Sequence, residues 1–186
     1  MQKLLINIQK YLSSQRKEEG FTLVELIVVV VIIGILSSIA IPSFQKSSLK
    51  ARQRSASVLV STYIKAAQAY KTEYGLDAIT AGDLKHYVAV NECTAVVDEI
   101  ENCKNMSPET VQDNDRAWNG VDGYYRFYME HDIYDGRVYI LAAPHGSTAH
   151  GRNGFGVAGC FRASTGGIGI TNYESPGNAG RNQDAC

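Results

Sequence analysis

The hydrophobic pattern changes twice along the chain. From Phe21 to Ile41 it is almost continuously apolar, with Glu25 as its single charge. About 20 such residues let a helix cross the hydrocarbon core of a bilayer, so this run predicts a membrane-spanning helix. A secretory signal peptide would place a small-residue cleavage site after a shorter apolar stretch. Ser37, Ser38 and Ala40 imitate such a site, but the run is long for it, and helical spacing continues through Pro42 towards Tyr74. Past Pro42 the pattern becomes amphipathic. Leu59, Tyr63, Ala66, Tyr70 and Tyr74 fall on one face, and Arg54, Ser61, Lys65, Gln68 and Thr72 on another. Gly75 is the predicted stop. A helix from Phe21 to Tyr74 would be on the order of 80 Å long at about 1.5 Å per residue, a rod that a small domain does not need. Its weak points are Gly34 and Pro42, which cost a helix interior about 1 and about 3 kcal/mol.

The second change leads into shorter elements. Thr80 can cap a helix from Ala81 to about Val88 with Leu84, Tyr87 and Val88 inward. Polar residues and Pro108 then read as a surface loop. Tyr125, Phe127 and Met129 alternate with Tyr124, Arg126 and Tyr128 as a strand would, and Arg137 to Ala143 is a second strand behind an Asp135-Gly136 turn signal. Phe155 to Ala163 and Ile168 to Tyr173 form a further hairpin across Ser164 to Gly167. The expected fold class is α+β: an antiparallel sheet packed on the amphipathic half of the long helix.

Composition narrows the class. The 186 residues are 45% hydrophobic and 20% charged, which suits one folded domain with a core. A net charge of −1 gives nucleic acid no overall electrostatic support. All four cysteines, Cys93, Cys103, Cys160 and Cys186, follow the apolar run, as in an exported domain under oxidising conditions, and three pairings are available. They contain no close C-x-x-C pair, so a metal site is not expected.

Glu25 carries the functional argument. A carboxylate in an apolar helix is unfavourable by roughly 2.5–3.5 kcal/mol at the bilayer centre, and by less if it reaches water near the interface. No Lys or Arg lies between Phe21 and Phe44 to pair with it. A cut between Gly20 and Phe21 would create a positive N-terminus. Gly20 followed by Phe21-Thr22-Leu23-Val24-Glu25 resembles the processing site of bacterial type IV pilins. That resemblance implies a prepilin peptidase that cuts after Gly20 and methylates the amine of Phe21. It also implies that Glu25 pairs with the amine of a neighbouring subunit during filament assembly. Residues 1–20 would then be a leader, 21–42 the transmembrane and filament-core helix, 43–75 its amphipathic half, and 76–186 the head of a type IV pilin fold. The leader's Lys3, Lys10, Arg16 and Lys17 suit the cytoplasmic side. Glu18 and Glu19 stand where the family more often has a basic residue. Removing the leader takes four basic and two acidic residues, so the mature charge is 14 − 17 = −3. The expected bridges are Cys93–Cys103 and Cys160–Cys186; the second resembles the family's disulfide-bonded C-terminal loop. The family also implies that the segment from Gly34 to Pro42 unwinds in the fibre.

Other chemistries are weaker. His145 and His150 flank Ser147 without a nucleophile elbow, so they read as solvent-exposed loop histidines and no catalytic residue is assigned. Asp113, Asp115 and Asp122 miss the spacing of a calcium loop. Arg152, Arg162 and Arg181 could form only a local nucleic-acid patch. The resemblance implies a structural subunit, not an enzyme and without a cofactor, of a surface filament for adhesion, twitching motility and in some members DNA uptake. Its partners would be its own copies, the prepilin peptidase, an assembly platform and a secretin. It would sit in the inner membrane before assembly, head outward, and on the cell surface afterwards. The alternative is a minor pilin or a type II secretion pseudopilin.

Overall fold

The computed structural model describes residues 20–95, 102–103, 107–146 and 154–176. Two compact units divide between Phe44 and Gln45. Helix α1 (Leu23–Tyr74) begins in the first and ends in the second, and is helical through both Gly34 and Pro42. It stops at Gly75, which takes a left-handed φ of 70° and donates its N–H to the carbonyl of Lys71. Only glycine adopts that cap without a Cβ penalty.

In the first unit every large apolar side chain from Leu23 to Phe44 is exposed. A helix apolar on all sides needs an apolar surrounding, either lipid or other helices. Its Val28–Ile33 run is β-branched and has modest intrinsic helix propensity. Inside a bilayer that preference is overridden, because the helix satisfies its backbone polar groups internally.

The second unit is built on a five-stranded antiparallel meander. Its strands are β3 (Ala117–Asn119), β4 (Tyr125–Asp132), β5 (Arg137–Pro144), β6 (Phe155–Arg162) and β7 (Gly167–Pro176), paired in chain order. Asp135-Gly136 turns β4 into β5, with Asp132 opposite Arg137, and Phe161 stands opposite Ile168 across the β6–β7 turn. Two-residue strands β1 (Asn91–Glu92) and β2 (Glu109–Thr110) form a separate ribbon. The four expected strands are all present, with ends moved by at most three residues. The antiparallel sheet packed on the second half of α1 is the α+β pilin fold.

Alternation along β4, β5 and β6 turns Phe127, Met129, Val138, Ile140, Val157 and Phe161 to the helix side. Tyr139, Leu141, Ala158 and Cys160 form a second cluster on the opposite face. The buried stripe of α1 is Gln53, Ala56, Val60, Tyr63, Ile64, Ala66 and Ala67. Leu59 and Tyr74, assigned inward by spacing, are 38% and 46% exposed. The stripe centres instead on Val60 and Ile64, because these two lie over Gly159 of β6. A Cβ on Gly159 would meet Ile64 Cγ1 at 2.8 Å and Val60 Cγ1 closer still. Tyr63 packs edge-on against Trp118 and Phe127, with ring centroids 5.5 and 5.6 Å away. The amide of Gln53 donates to the carbonyls of Gly156 (3.0 Å) and Tyr173 (2.8 Å), tying α1 to β6 and β7.

Helix α2 (Ala81–Lys85) is shorter than expected. The N–H groups of Tyr87 and Val88 both turn back to the Leu84 carbonyl and close the helix there. Leu84 is buried as predicted, but Tyr87 is 39% exposed. At the start of α2 the Asp83 carboxylate accepts from the N–H groups of Ile79 and Thr80.

Candidate functional site

The start of α1 gathers the residues singled out around Gly20. With Leu23 as the first helical residue, Thr22 is the N-cap and Glu25 the third helical position. Thr22 donates its N–H (2.9 Å) and its hydroxyl (2.7 Å) to the Glu25 carboxylate, and the Glu25 N–H donates back to the Thr22 hydroxyl at 3.2 Å. This is a reciprocal capping box, which satisfies two donors that a helix start leaves unpaired. Glu25 is therefore hydrogen-bonded within its own chain while sitting at the helix end where a negative charge is favoured. The Thr-x-x-Glu spacing is a capping-box signature in the sequence, and Thr22 is a functional residue that the charge and hydropathy pattern does not mark.

Gly20 and Phe21 precede the helix, and Phe21 is 86% exposed. Among the described residues a Cβ on Gly20 would touch nothing. Nothing in the packing of the described residues calls for glycine at that position. The same holds for Gly34, whose Cβ would also meet open space. Pro42 has no N–H to offer the Ser38 carbonyl. Ser38 itself donates its hydroxyl to the Ile35 carbonyl at 2.7 Å.

The cysteines lie in the second unit. Cys93 and Cys103 are joined by a disulfide and both are buried. Cys160, buried in β6, is disulfide-bonded; its expected partner Cys186 lies outside the described residues.

The remaining candidates do not converge. His145, read from sequence as a solvent-exposed loop residue, is 7% exposed and follows β5 directly. Its N–H donates to the Tyr124 carbonyl, which holds it in the wall of the sheet instead of a loop. Burial, with the nearby Arg126 charge, holds its pKa below the ordinary histidine value. Ser147 and His150 lie outside the described residues. Asp113 pairs with Lys85 at 2.8 Å, and Asp122 accepts the N–H of Tyr124, each satisfied separately. Among the described residues no group of three His, Cys, Asp or Glu side chains gathers to hold a metal. Arg162 stands opposite Arg137 across β5 and β6, while Arg152 and Arg181 lie outside the described residues.

Residues 15–41 match the prokaryotic N-terminal methylation motif. Over 73 aligned residues the chain is 38% identical to the type II secretion system core protein G of Aeromonas hydrophila, an alignment covering 35% of this chain and 51% of that protein. The chain thus spans about half the length of the curated relative it matches. No solved structure matches it.

Proposed function

This chain is a type IV pilin-like prepilin, and from that premise we propose that it is the repeating subunit of a type IV pilus. The observation that carries the reading is the first unit: an uncovered, all-round apolar helix half whose single charge is already engaged at its tip. Such a helix is stable only among lipids or among copies of itself, so membrane storage followed by helical polymerisation accounts for it.

On this reading a prepilin peptidase cuts between Gly20 and Phe21 and methylates Phe21. The open surroundings of Gly20 support that role, since the demand for glycine then comes from the peptidase. Glu25 exchanges its Thr22 hydrogen bonds for the N-terminal amine of a neighbouring subunit, which offsets the desolvation of a carboxylate in the fibre core. Residues 1–20 are the leader, 21–42 the membrane and core segment, 43–75 the amphipathic half and 76–186 the head. Gly34 and Pro42 mark the stretch that loosens in the fibre. An assembly platform and a secretin carry the subunit from the inner membrane to the surface, where the fibre adheres and drives twitching.

The likeness to a type II secretion core protein favours a second reading, a pseudopilin of a short periplasmic filament. Mass analysis of sheared filaments separates the two. An abundant chain beginning at N-methylated Phe21 is the expected result. Processed chain confined to the inner membrane, with none in the sheared fraction, would replace the pilus reading by the pseudopilin.

A further inference from the structure

No acidic residue occurs between Glu25 and Glu73, yet Lys46, Lys50, Arg52 and Arg54 crowd together just after the apolar run. Lys3, Lys10, Arg16 and Lys17 precede the run, so the four cations that follow it closely are not what the cytoplasmic placement of the leader calls for. The group after the run has some other use. Arg52 is occupied: its guanidinium lies 3.6 Å from the Tyr124 ring centroid and donates to the Tyr124 hydroxyl. Lys46, Lys50 and Arg54 differ. They recur every four residues and so share one face of α1, where their like charges repel. All three are exposed, and none pairs with any described residue.

These three side chains line a groove of about 340 Å³ with Gln53, Phe155 and Asn172, and among the described residues no carboxylate lines it. Gln53 directs both amide hydrogens to the Gly156 and Tyr173 carbonyls, so it fixes the floor and does not reach outward. Phe155 supplies an apolar wall, and Asn172 an exposed amide. The volume falls at the lower end for a small-ligand cleft.

We propose that this groove seats the phosphodiester headgroup of an anionic phospholipid, at the surface of the membrane in which residues 21–42 are anchored. The inference rests on that membrane reading. Two ammonium groups and a guanidinium can donate to the anionic oxygens of a phosphodiester, Asn172 can hydrogen-bond the headgroup hydroxyls, and Phe155 faces the glycerol carbons. Lys46 follows Phe44 by two residues, and long basic side chains reach back along an apolar stem to the headgroup level. Bound lipid would hold the subunit in the membrane until assembly strips it.

The test uses the full chain in nanodiscs of equal parts phosphatidylglycerol and phosphatidylcholine, ejected and weighed by native mass spectrometry. The expected result is retained phosphatidylglycerol in preference to phosphatidylcholine. It should weaken on the order of a hundredfold in K46Q/K50Q/R54Q, about fivefold per removed charge. K65Q, which removes a cation outside the groove, should leave retention unchanged. Equal retention of both lipids, or no change in the triple variant, would overturn the proposal. Saturation by inorganic phosphate alone at the same affinity would reassign the groove to a free anion. Retention that survives the triple variant while cross-linking between copies is lost would reassign the stripe to a second subunit. A chain extracted from membranes by alkaline carbonate would refute the membrane reading itself, which is distinct from a chain that inserts but shows no lipid preference.

Discussion

Replacing Gly159 by alanine tests the contact on which the second unit closes. The new Cβ would stand 2.8 Å from Ile64 Cγ1 and closer to Val60 Cγ1, against a comfortable carbon–carbon separation of about 3.5–4.0 Å. Neither neighbour can swing aside cheaply. Both are fully buried and β-branched, and a helix leaves such side chains essentially one χ1 rotamer. The helix must instead lift from β6, loosening the Tyr63–Trp118–Phe127 contacts beside it. Overpacking of this kind costs about 1–3 kcal/mol, partly offset by the roughly 0.4–1 kcal/mol that alanine gains by restricting the unfolded chain. A net loss of about 1–2 kcal/mol should lower the urea midpoint by roughly 0.5–1 M. Trp118 is the single tryptophan and is buried in this contact, so its fluorescence in the full detergent-solubilised chain follows the transition. Val60→Ala removes the offending methyl group, and in the double variant it should recover on the order of 1 kcal/mol of the Gly159→Ala loss. An unchanged midpoint for Gly159→Ala, or strictly additive effects in the double variant, would refute the close approach.

Four further outcomes are expected. Gly20→Val should leave only the unprocessed precursor in membranes, read by intact mass, and normal processing would remove the cleavage assignment. Glu25→Leu should be processed and stable but should assemble few filaments when it is the sole subunit; normal filament yield by shearing would dispose of the inter-subunit pairing. The Cys93→Ser/Cys103→Ser double variant opens a loop of sequence separation 10, and should lose about 2.5–3 kcal/mol of stability on the chain-entropy account, measured by denaturation. His145 has a folded pKa below its unfolded value, so the unfolded chain takes up the proton first as pH falls. Its contribution is complete above about pH 6.5 and is lost as pH falls from there towards the folded value. His145→Gln should flatten that slope in melting curves, and an unchanged slope would assign it elsewhere.

Much of this molecule was legible because its signals are local. The run from Phe21 to Ile41 and the alternation in β4 to β7 are periodicities that any window of the chain contains. What was missed depends on contacts between distant segments. Gln53 is polar by composition and is buried only because two strands present carbonyls to its amide. Leu59 lost its place in the core to Val60 because a glycine more than ninety residues away admits Val60. Trp118 lies in a three-residue strand too short to show a period, and His145 is buried by the end of a strand that sequence left open. The Thr22–Glu25 box is the opposite case. Its Thr-x-x-Glu spacing is local, and the carboxylate finds a partner three residues away in its own chain.

The order of the sheet has a consequence for how such a chain acquires its shape. Every strand from β4 onward pairs with the strand immediately before it, so a chain released from its N-terminal end meets its partner as each strand emerges. Nothing in the meander waits for a distant segment, and sheets of such low sequence separation form quickly. The second half of α1 is the exception, because it arrives first and its docking strand, β6, arrives nearly last. For that interval Val60, Tyr63 and Ile64 have no sheet to cover them, and this half of the helix is the template on which the strands accumulate.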